Sequence, residues 1–183
     1  MNINTNKHQG FTLMSEVHKG FTLIELLVVI AVLGVLATVV IVAINPFQQL
    51  AKGRDAGRQS VVSQLGEANV TYSTANSGNF VTANVTWITS LQTAGEVNNI
   101  PAAIAYSITG ITACTTNVQN GLCYKQTAVT GPIIVYARLE ATTTISRCPA
   151  GQNAWAVYSS ADGRGGIVCS VAEPAAGNQT FLP

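Results

Sequence analysis

The sequence predicts an α+β protein, with a long N-terminal α-helix packed on a C-terminal antiparallel β-sheet. Three observations predict it. Leu26 to Ile44 is an uncharged apolar run interrupted only by Gly34 and Thr38. An amphipathic stretch with helical spacing follows directly. After Gly131-Pro132, three short runs rich in β-branched and aromatic residues are separated by turn residues.

Residues 1–20 are polar and carry a near-repeat. Lys7-His8-Gln9-Gly10-Phe11-Thr12-Leu13 resembles Val17-His18-Lys19-Gly20-Phe21-Thr22-Leu23, and only the second copy runs into an apolar segment. Residues 21–45 form the hydrophobic helix. Its 19-residue apolar run, at about 1.5 Å per residue, reaches roughly 28 Å, close to a hydrocarbon core of about 30 Å. A helix apolar on every side needs a much larger soluble protein to bury it, so the segment reads as membrane-spanning. Asn45-Pro46 ends it, because proline removes a helical hydrogen bond and turns its predecessor away from the α region. A kink at Pro46 is expected.

Residues 46–75 continue as an amphipathic helix. Phe47, Leu50, Arg54, Val61, Leu65, Ala68 and Tyr72 share one stripe, with Lys52, Asp55, Arg58, Gln59, Gln64 and Glu67 mostly on other faces. Asn76-Ser77-Gly78-Asn79 is a stop signal. Residues 76–131 read as a connecting loop region. Trp87–Leu91 offers a short helix there, Ala103–Ile108 and Cys123–Val129 offer short strands, and Asn120-Gly121 a tight turn. Residues 132–183 supply the sheet. Its runs are Ile133–Leu139, Trp155–Ser159 and Gly166–Val171, with a hairpin at Asp162-Gly163 and a loosely held tail from Glu173 to Pro183.

Charged residues are only 9% of the chain, against about a quarter in ordinary soluble domains. The polar surface is instead Thr, Ser and Asn, which suits an extracellular or closely packed protein. A net charge of +1 gives no electrostatic footprint for nucleic acid. The four cysteines, Cys114, Cys123, Cys148 and Cys169, allow three pairings. Sequence-local pairing, Cys114–Cys123 and Cys148–Cys169, is the reading adopted, with a zinc site or free thiols as alternatives. Zinc prefers close ligand pairs, often with histidine. The histidines, His8 and His18, lie far away at the N-terminus. Disulfides imply an oxidising compartment.

Nothing in this chain resembles an active site. No histidine follows Gly20, and the carboxylates are scattered. No calcium-loop or metal-ligand spacing occurs, and Gly163-Arg164-Gly165-Gly166 lacks the lysine and helix of a phosphate-binding loop. Neither an enzyme nor a cofactor is expected. Asn69-Val70-Thr71, Asn84-Val85-Thr86 and Asn178-Gln179-Thr180 match the N-glycosylation pattern, which arises readily in Asn/Thr-rich chains.

The informative residue is Glu25. It stands at the head of the apolar run, shortly after Gly20-Phe21, and the next charge is Lys52. A charge centred in a bilayer costs roughly 2.5–3.5 kcal/mol on insertion scales, and one near its edge still needs a reason. Gly20-Phe21-Thr22-Leu23-Ile24-Glu25-Leu26-Leu27-Val28-Val29-Ile30 resembles the type III signal and N-terminal helix of type IV pilins and pseudopilins. The match is tight from Lys19 to about Ala43; beyond that the likeness is one of layout, a pilin-like order of helix, loop, sheet and C-terminal disulfide loop.

That resemblance implies a leader, residues 1–20, shortened if Met14 is the true start. It implies cleavage between Gly20 and Phe21 by a prepilin peptidase and N-methylation of Phe21. Glu25 would meet the Phe21 amine of a neighbouring subunit and set axial register. The partners implied are further copies in a helical homopolymer, the peptidase, the inner-membrane assembly machinery and the membrane itself before assembly. The precursor would reside in the cytoplasmic membrane and the product in an extracellular filament, most simply as a major pilin of a type IV pilus supporting adhesion, motility or DNA uptake. Pseudopilin of a type II secretion system and minor or competence pilin remain open, nucleic acid being a partner only in the last case. A secreted ligand-binding protein, cut after Ile41-Val42-Ala43, is the reading from another class. Two features depart from the pattern. Lys52, Arg54 and Arg58 follow the span, against the positive-inside rule, and Pro46 lies several residues later than the helix-kinking proline common in pilins.

Overall fold

The computed structural model describes residues 20–183 and divides into two compact units at Ile44/Asn45. The upstream Gly10-Phe11 copy, Met14 and most of the leader lie outside the described residues.

The first unit carries α1, Leu23–Ile44. Thr22 caps it: the Glu25 N–H donates to Thr22 Oγ1 at 3.3 Å and to its carbonyl at 3.1 Å. Twenty-two residues make a helix about 33 Å long. From Leu23 to Val42 its valines, isoleucines and leucines are exposed, and the helix is long and apolar enough to cross a membrane. Thr38 satisfies its own hydroxyl by donating to the Val35 carbonyl at 2.7 Å.

The second unit begins at Asn45, which sits in the left-handed region (φ 47°) and caps α2, Pro46–Ala75. Asn45 Oδ1 accepts from the Gln48 N–H at 3.4 Å. Pro46 occupies the first helical position, where its missing N–H costs nothing. The helical hydrogen bonding is therefore interrupted at Asn45-Pro46 rather than carried through.

The sheet is a four-stranded antiparallel meander, β1 Cys123–Gln126, β2 Ile133–Arg138, β3 Asn153–Ser159 and β4 Arg164–Ser170, in the order β1-β2-β3-β4. Cys123 pairs with Tyr136, Tyr136 with Val157, and Val157 with Gly166. Two short helices complete the unit, α3 Trp87–Thr93 and α4 Thr142–Ile145. β1 therefore comes from the segment 76–131 read as connecting loop, and the sheet starts before Gly131-Pro132.

Every residue of β2 is buried, because both faces of the sheet are covered. Ile133, Val135 and Ala137 face a core with Val62 and Leu65 of α2 and with Trp87, Ile88 and Leu91 of α3. Ile134 and Tyr136 point the other way, into a second core with Trp155, Val157, Val168 and the Cys114–Cys123 bridge. Alternation along one strand thus feeds two cores. α2 approaches β3 closely at Gly66, where a Cβ would lie 2.2 Å from the Tyr158 ring.

Three expectations change. The buried stripe of α2 runs through Ala51, Asp55, Arg58, Val62, Leu65, Asn69 and Ser73. Phe47 and Leu50, assigned to the core, are exposed, and Asp55 and Arg58, assigned to outer faces, are inside. Ala103–Ile108 is not a strand; its backbone N–H groups at Ser107 and Ile108 go instead to the Glu140 carboxylate. The tail is not loose. Phe181 bridges to Val168, and the Leu182 N–H donates to the Ile167 carbonyl at 2.7 Å. The tail covers the open edge of β4 and one flank of the second core, which is why it is ordered.

Asn120 and Gly121 both have positive φ (53° and 78°), the two-residue turn that closes Gln119 onto Leu122. The Cys114–Cys123 and Cys148–Cys169 disulfides are formed, and no cysteine is free.

Candidate functional site

Gly20, Phe21 and Thr22 precede the first helical residue. The Gly20–Phe21 peptide is therefore exposed, non-helical backbone, with no atom within 4 Å of where a Gly20 Cβ would stand. A protease that reads an extended backbone finds such a bond open.

Glu25 occupies the third position of α1, three residues after its Thr22 cap. A carboxylate there is favoured by the positive end of the helix, worth typically 0.3–1 kcal/mol. The side chain remains exposed, and it has no ion-pair partner among the described residues. The helix dipole accounts for part of the carboxylate's comfort but supplies no full counter-charge.

The other charges behave differently. Near the start of α2, Asp55, Arg58 and Glu140 are buried together, with Arg54 at their edge. Arg58 donates to Asp55 at 2.6 Å and to Glu140 at 2.9 Å, and Arg54 donates to Glu140 at 2.5 Å. Asp55 accepts the Glu140 and Ala141 N–H groups, at 3.0 and 2.8 Å. The Arg58 guanidinium lies 4.4 Å from the centre of the Tyr106 ring. Two cations and two anions cancel, and each carboxylate also caps backbone. Burial pushes the Glu140 carboxyl up, but Arg54, the Ser107 N–H and Arg58 outweigh it and hold it at about 2. This group is an anchor that fastens α2 to the 103–108 segment and the end of β2. Sequence reading missed it; the signal was two arginines flanking an aspartate within five residues of a charge-poor chain.

Arg54 and Arg58 are ion-paired within the fold, whereas Lys52 has no ion-pair partner among the described residues.

Glu173 plays a similar part in the tail. It accepts from the Thr116 and Tyr136 hydroxyls, both at 2.7 Å, and from the Thr115 N–H, with Lys125 at 3.3 Å. Burial raises its carboxyl, and these donors bring it down to about 2. Among the described residues no group of histidine, cysteine, aspartate and glutamate side chains is placed to hold a metal. Of the glycosylation-pattern asparagines, Asn69 is fully buried and donates to the Leu65 carbonyl.

An apolar N-terminal helix, and a four-stranded antiparallel sheet backed by a second helix, define a pilin-like α+β protein. The family model for the prokaryotic N-terminal methylation motif matches residues 17–41. The chain thus carries, over those residues, the motif typical of type IV pilin and pseudopilin precursors. No curated protein and no solved structure matches the sequence.

Proposed function

We propose that this chain is a filament subunit, the major pilin of a type IV pilus, made as a membrane-anchored precursor. The observation that carries the reading is the placement of Gly20-Phe21 on exposed backbone before α1, with a lone carboxylate four residues later on an otherwise uncharged helix. Cleavage between Gly20 and Phe21 creates an amine at Phe21, which the peptidase methylates. In the filament the α1 helices bury one another, and Glu25 would then be an unpaired charge in an apolar core. Such a charge is expensive alone and tolerable when it meets a fixed cation. The Phe21 amine of a neighbouring copy supplies that cation, so only staggers that bring the two together are allowed.

Before assembly α1 anchors the chain in the cytoplasmic membrane. The second unit, with its two disulfides, lies on the oxidising side and forms the outer surface of the fibre. Its partners are further copies of itself, the prepilin peptidase and the membrane assembly machinery. Abundance supports no role directly, so the major-subunit assignment stands on its test. Mass spectrometry of sheared surface fibres should find this chain as the dominant component, beginning at methyl-Phe21. A mature N-terminus at Ile44 would instead identify a secreted protein. Glu25→Ala should lower filament yield at least about tenfold, the loss expected when a buried counter-charge is stranded; unchanged yield would refute the register role.

A further inference from the structure

Of the three Asn-x-Thr triplets in the chain, the fold presents one as an acceptor for a sugar. Asn69, on α2, is fully buried, and its Nδ2 donates to the Leu65 carbonyl at 3.2 Å. Asn178 is exposed, but its Nδ2 donates to Asp162 Oδ1 at 3.1 Å, and the same carboxylate accepts the Gln179 N–H at 2.8 Å. Asn84-Val85-Thr86 differs from both. It lies on irregular backbone just before α3, with Val85 and Thr86 exposed. Asn84 Oδ1 accepts the Thr86 N–H at 2.8 Å and the Thr86 hydroxyl at 3.0 Å. Asn84 Nδ2 has no hydrogen-bond partner among the described residues.

A distant residue leaves the Thr86 hydroxyl free for this. Thr86 is the N-cap of α3, where a threonine oxygen ordinarily accepts an N–H of the first turn, and here it makes no such bond. Gln119 Oε1 accepts the Ile88 N–H at 2.6 Å in its place. On the other side, Gln126 Oε1 of β1 accepts the Ala83 N–H at 2.8 Å. The triplet is thus held from both ends in one conformation, with the carboxamide oxygen engaged and its nitrogen left over. Two donors on Oδ1 draw charge toward that oxygen and make the Nδ2 protons easier to remove, which helps an otherwise poor nucleophile. Thr86 also lines a groove of about 560 Å³ between the end of α2 and α3, with Tyr72, Asn76, Thr89, Thr93 and Glu96. An aromatic ring, an amide, hydroxyls and a carboxylate suit the mixed apolar and hydroxyl faces of a sugar, and the volume falls within the ~300–1,000 Å³ of small-ligand sites.

We propose that Asn84 is an N-glycosylation site, with the groove beside Thr86 as the seat of its first sugar. The donor is a sugar diphosphate, carried on a nucleotide or on a polyprenyl lipid. Nδ2 attacks the anomeric carbon and forms the C–N bond. The bond from that carbon to the diphosphate oxygen breaks, and its electron pair leaves with the diphosphate. The Nδ2 proton passes to a base of the transferase. The glycan hydrates a surface that a net charge of +1 leaves nearly neutral. A filament subunit and a secreted chain would both display it.

Mass spectrometry of the full chain, isolated from the cells that make it, tests the site. Chymotrypsin, cutting after Tyr72, Phe80 and Trp87, separates the Asn84 peptide from the Asn69 and Asn178 peptides. The Asn84 peptide should carry a mass increment of whole sugar residues on the asparagine side chain, and the other two none. Asn84→Gln and Thr86→Ala should each abolish the increment and Thr86→Ser should keep it, with both disulfides formed in every variant. One uniform oligosaccharide would mark transfer as a block from a lipid carrier, and a series of lengths starting at one sugar would mark stepwise addition from nucleotides. An unmodified Asn84, an increment that survives Asn84→Gln, or one indifferent to Thr86→Ala overturns the site. Amide hydrogen exchange in α3 should be slower in the glycosylated chain than in Asn84→Gln; equal rates overturn the seating of the sugar in the groove.

Discussion

Replacing Glu140 by glutamine tests whether the buried ion cluster is what fastens α2 to the sheet. The native carboxylate is fully buried and receives four donors: Arg54 and Arg58 on one oxygen, the Ser107 and Ile108 N–H groups on the other. Glutamine keeps the shape but offers one acceptor oxygen. Its amide NH2 must then face donors on one side or the other, and the two arginines lose half of their neutralising charge. Removing one partner of a buried pair costs about 3–5 kcal/mol. Proton linkage gives a similar figure. Holding Glu140 at about 2 instead of the ordinary 4.5 is worth about 3 kcal/mol, at about 1.4 kcal/mol per pH unit. For a unit of roughly 140 residues, about 3 kcal/mol lowers Tm by roughly 10 °C. The sign follows from the depressed folded-state value. The stabilisation is present above the unfolded-state value of 4.5 and is lost as pH falls toward about 2. Thermal melting of the full chain in detergent at pH 7, followed by the near-ultraviolet signal of buried Trp87 and Trp155, reads the first effect. Repeating it down to pH 2.5 reads the second, where the variant should approach the native chain. A Tm at pH 7 within about 2 °C of native, or a gap that does not narrow in acid, would refute the reasoning.

Three further outcomes follow from the packing. Gly66→Ala drives a Cβ into the Tyr158 ring and should destabilise by about 1–2 kcal/mol in chemical denaturation, whereas Gly53→Ala, with open space around it, should stabilise by about 0.5–1 kcal/mol. Equal signs at the two sites would discredit the close approach of α2 to β3. Replacing Cys148 and Cys169 by serine opens a 21-residue separation and should cost about 3 kcal/mol, read as a lower denaturation midpoint with an unchanged result on adding reductant beyond the loss of the other bridge. Deleting Phe181–Pro183 uncovers the β4 edge and a flank of the second core; limited proteolysis should then cut after Gly163 and in the 173–180 segment far faster than in the native chain, and equal rates would mean that the tail is ornamental.

Legibility varied with the range of the interaction concerned. α1 was readable because a helix apolar on every side has few alternatives, and the Asn45-Pro46 break because proline's missing N–H is a local fact. The hairpin strands were readable from β-branched runs bounded by glycine, and the Asn120-Gly121 turn from residues that tolerate positive φ. What failed was α2's inward face. Spacing assigned it by hydrophobicity, so Phe47 and Leu50 were placed inside and Asp55 and Arg58 outside. The reverse holds because Glu140, 82 residues beyond Arg58, supplies the counter-charge that makes burial tolerable. No local pattern carries that information. The tail failed for the same reason: Tyr136 and Thr116, which hold Glu173, are distant in sequence, and the chain must also turn back for Phe181 to bridge to Val168.

By itself, then, the sequence determined the motif at Gly20-Phe21 with Glu25, the membrane-length helix and the periods of the strands, because each depends on residues within a few turns or pleats of one another. Only the tertiary structure decided which charges are spent inside the fold and which remain on its surface. That division depends on partners brought together from far along the chain, and it leaves Lys52 and Glu67 exposed while Arg58 and Glu140 disappear inside.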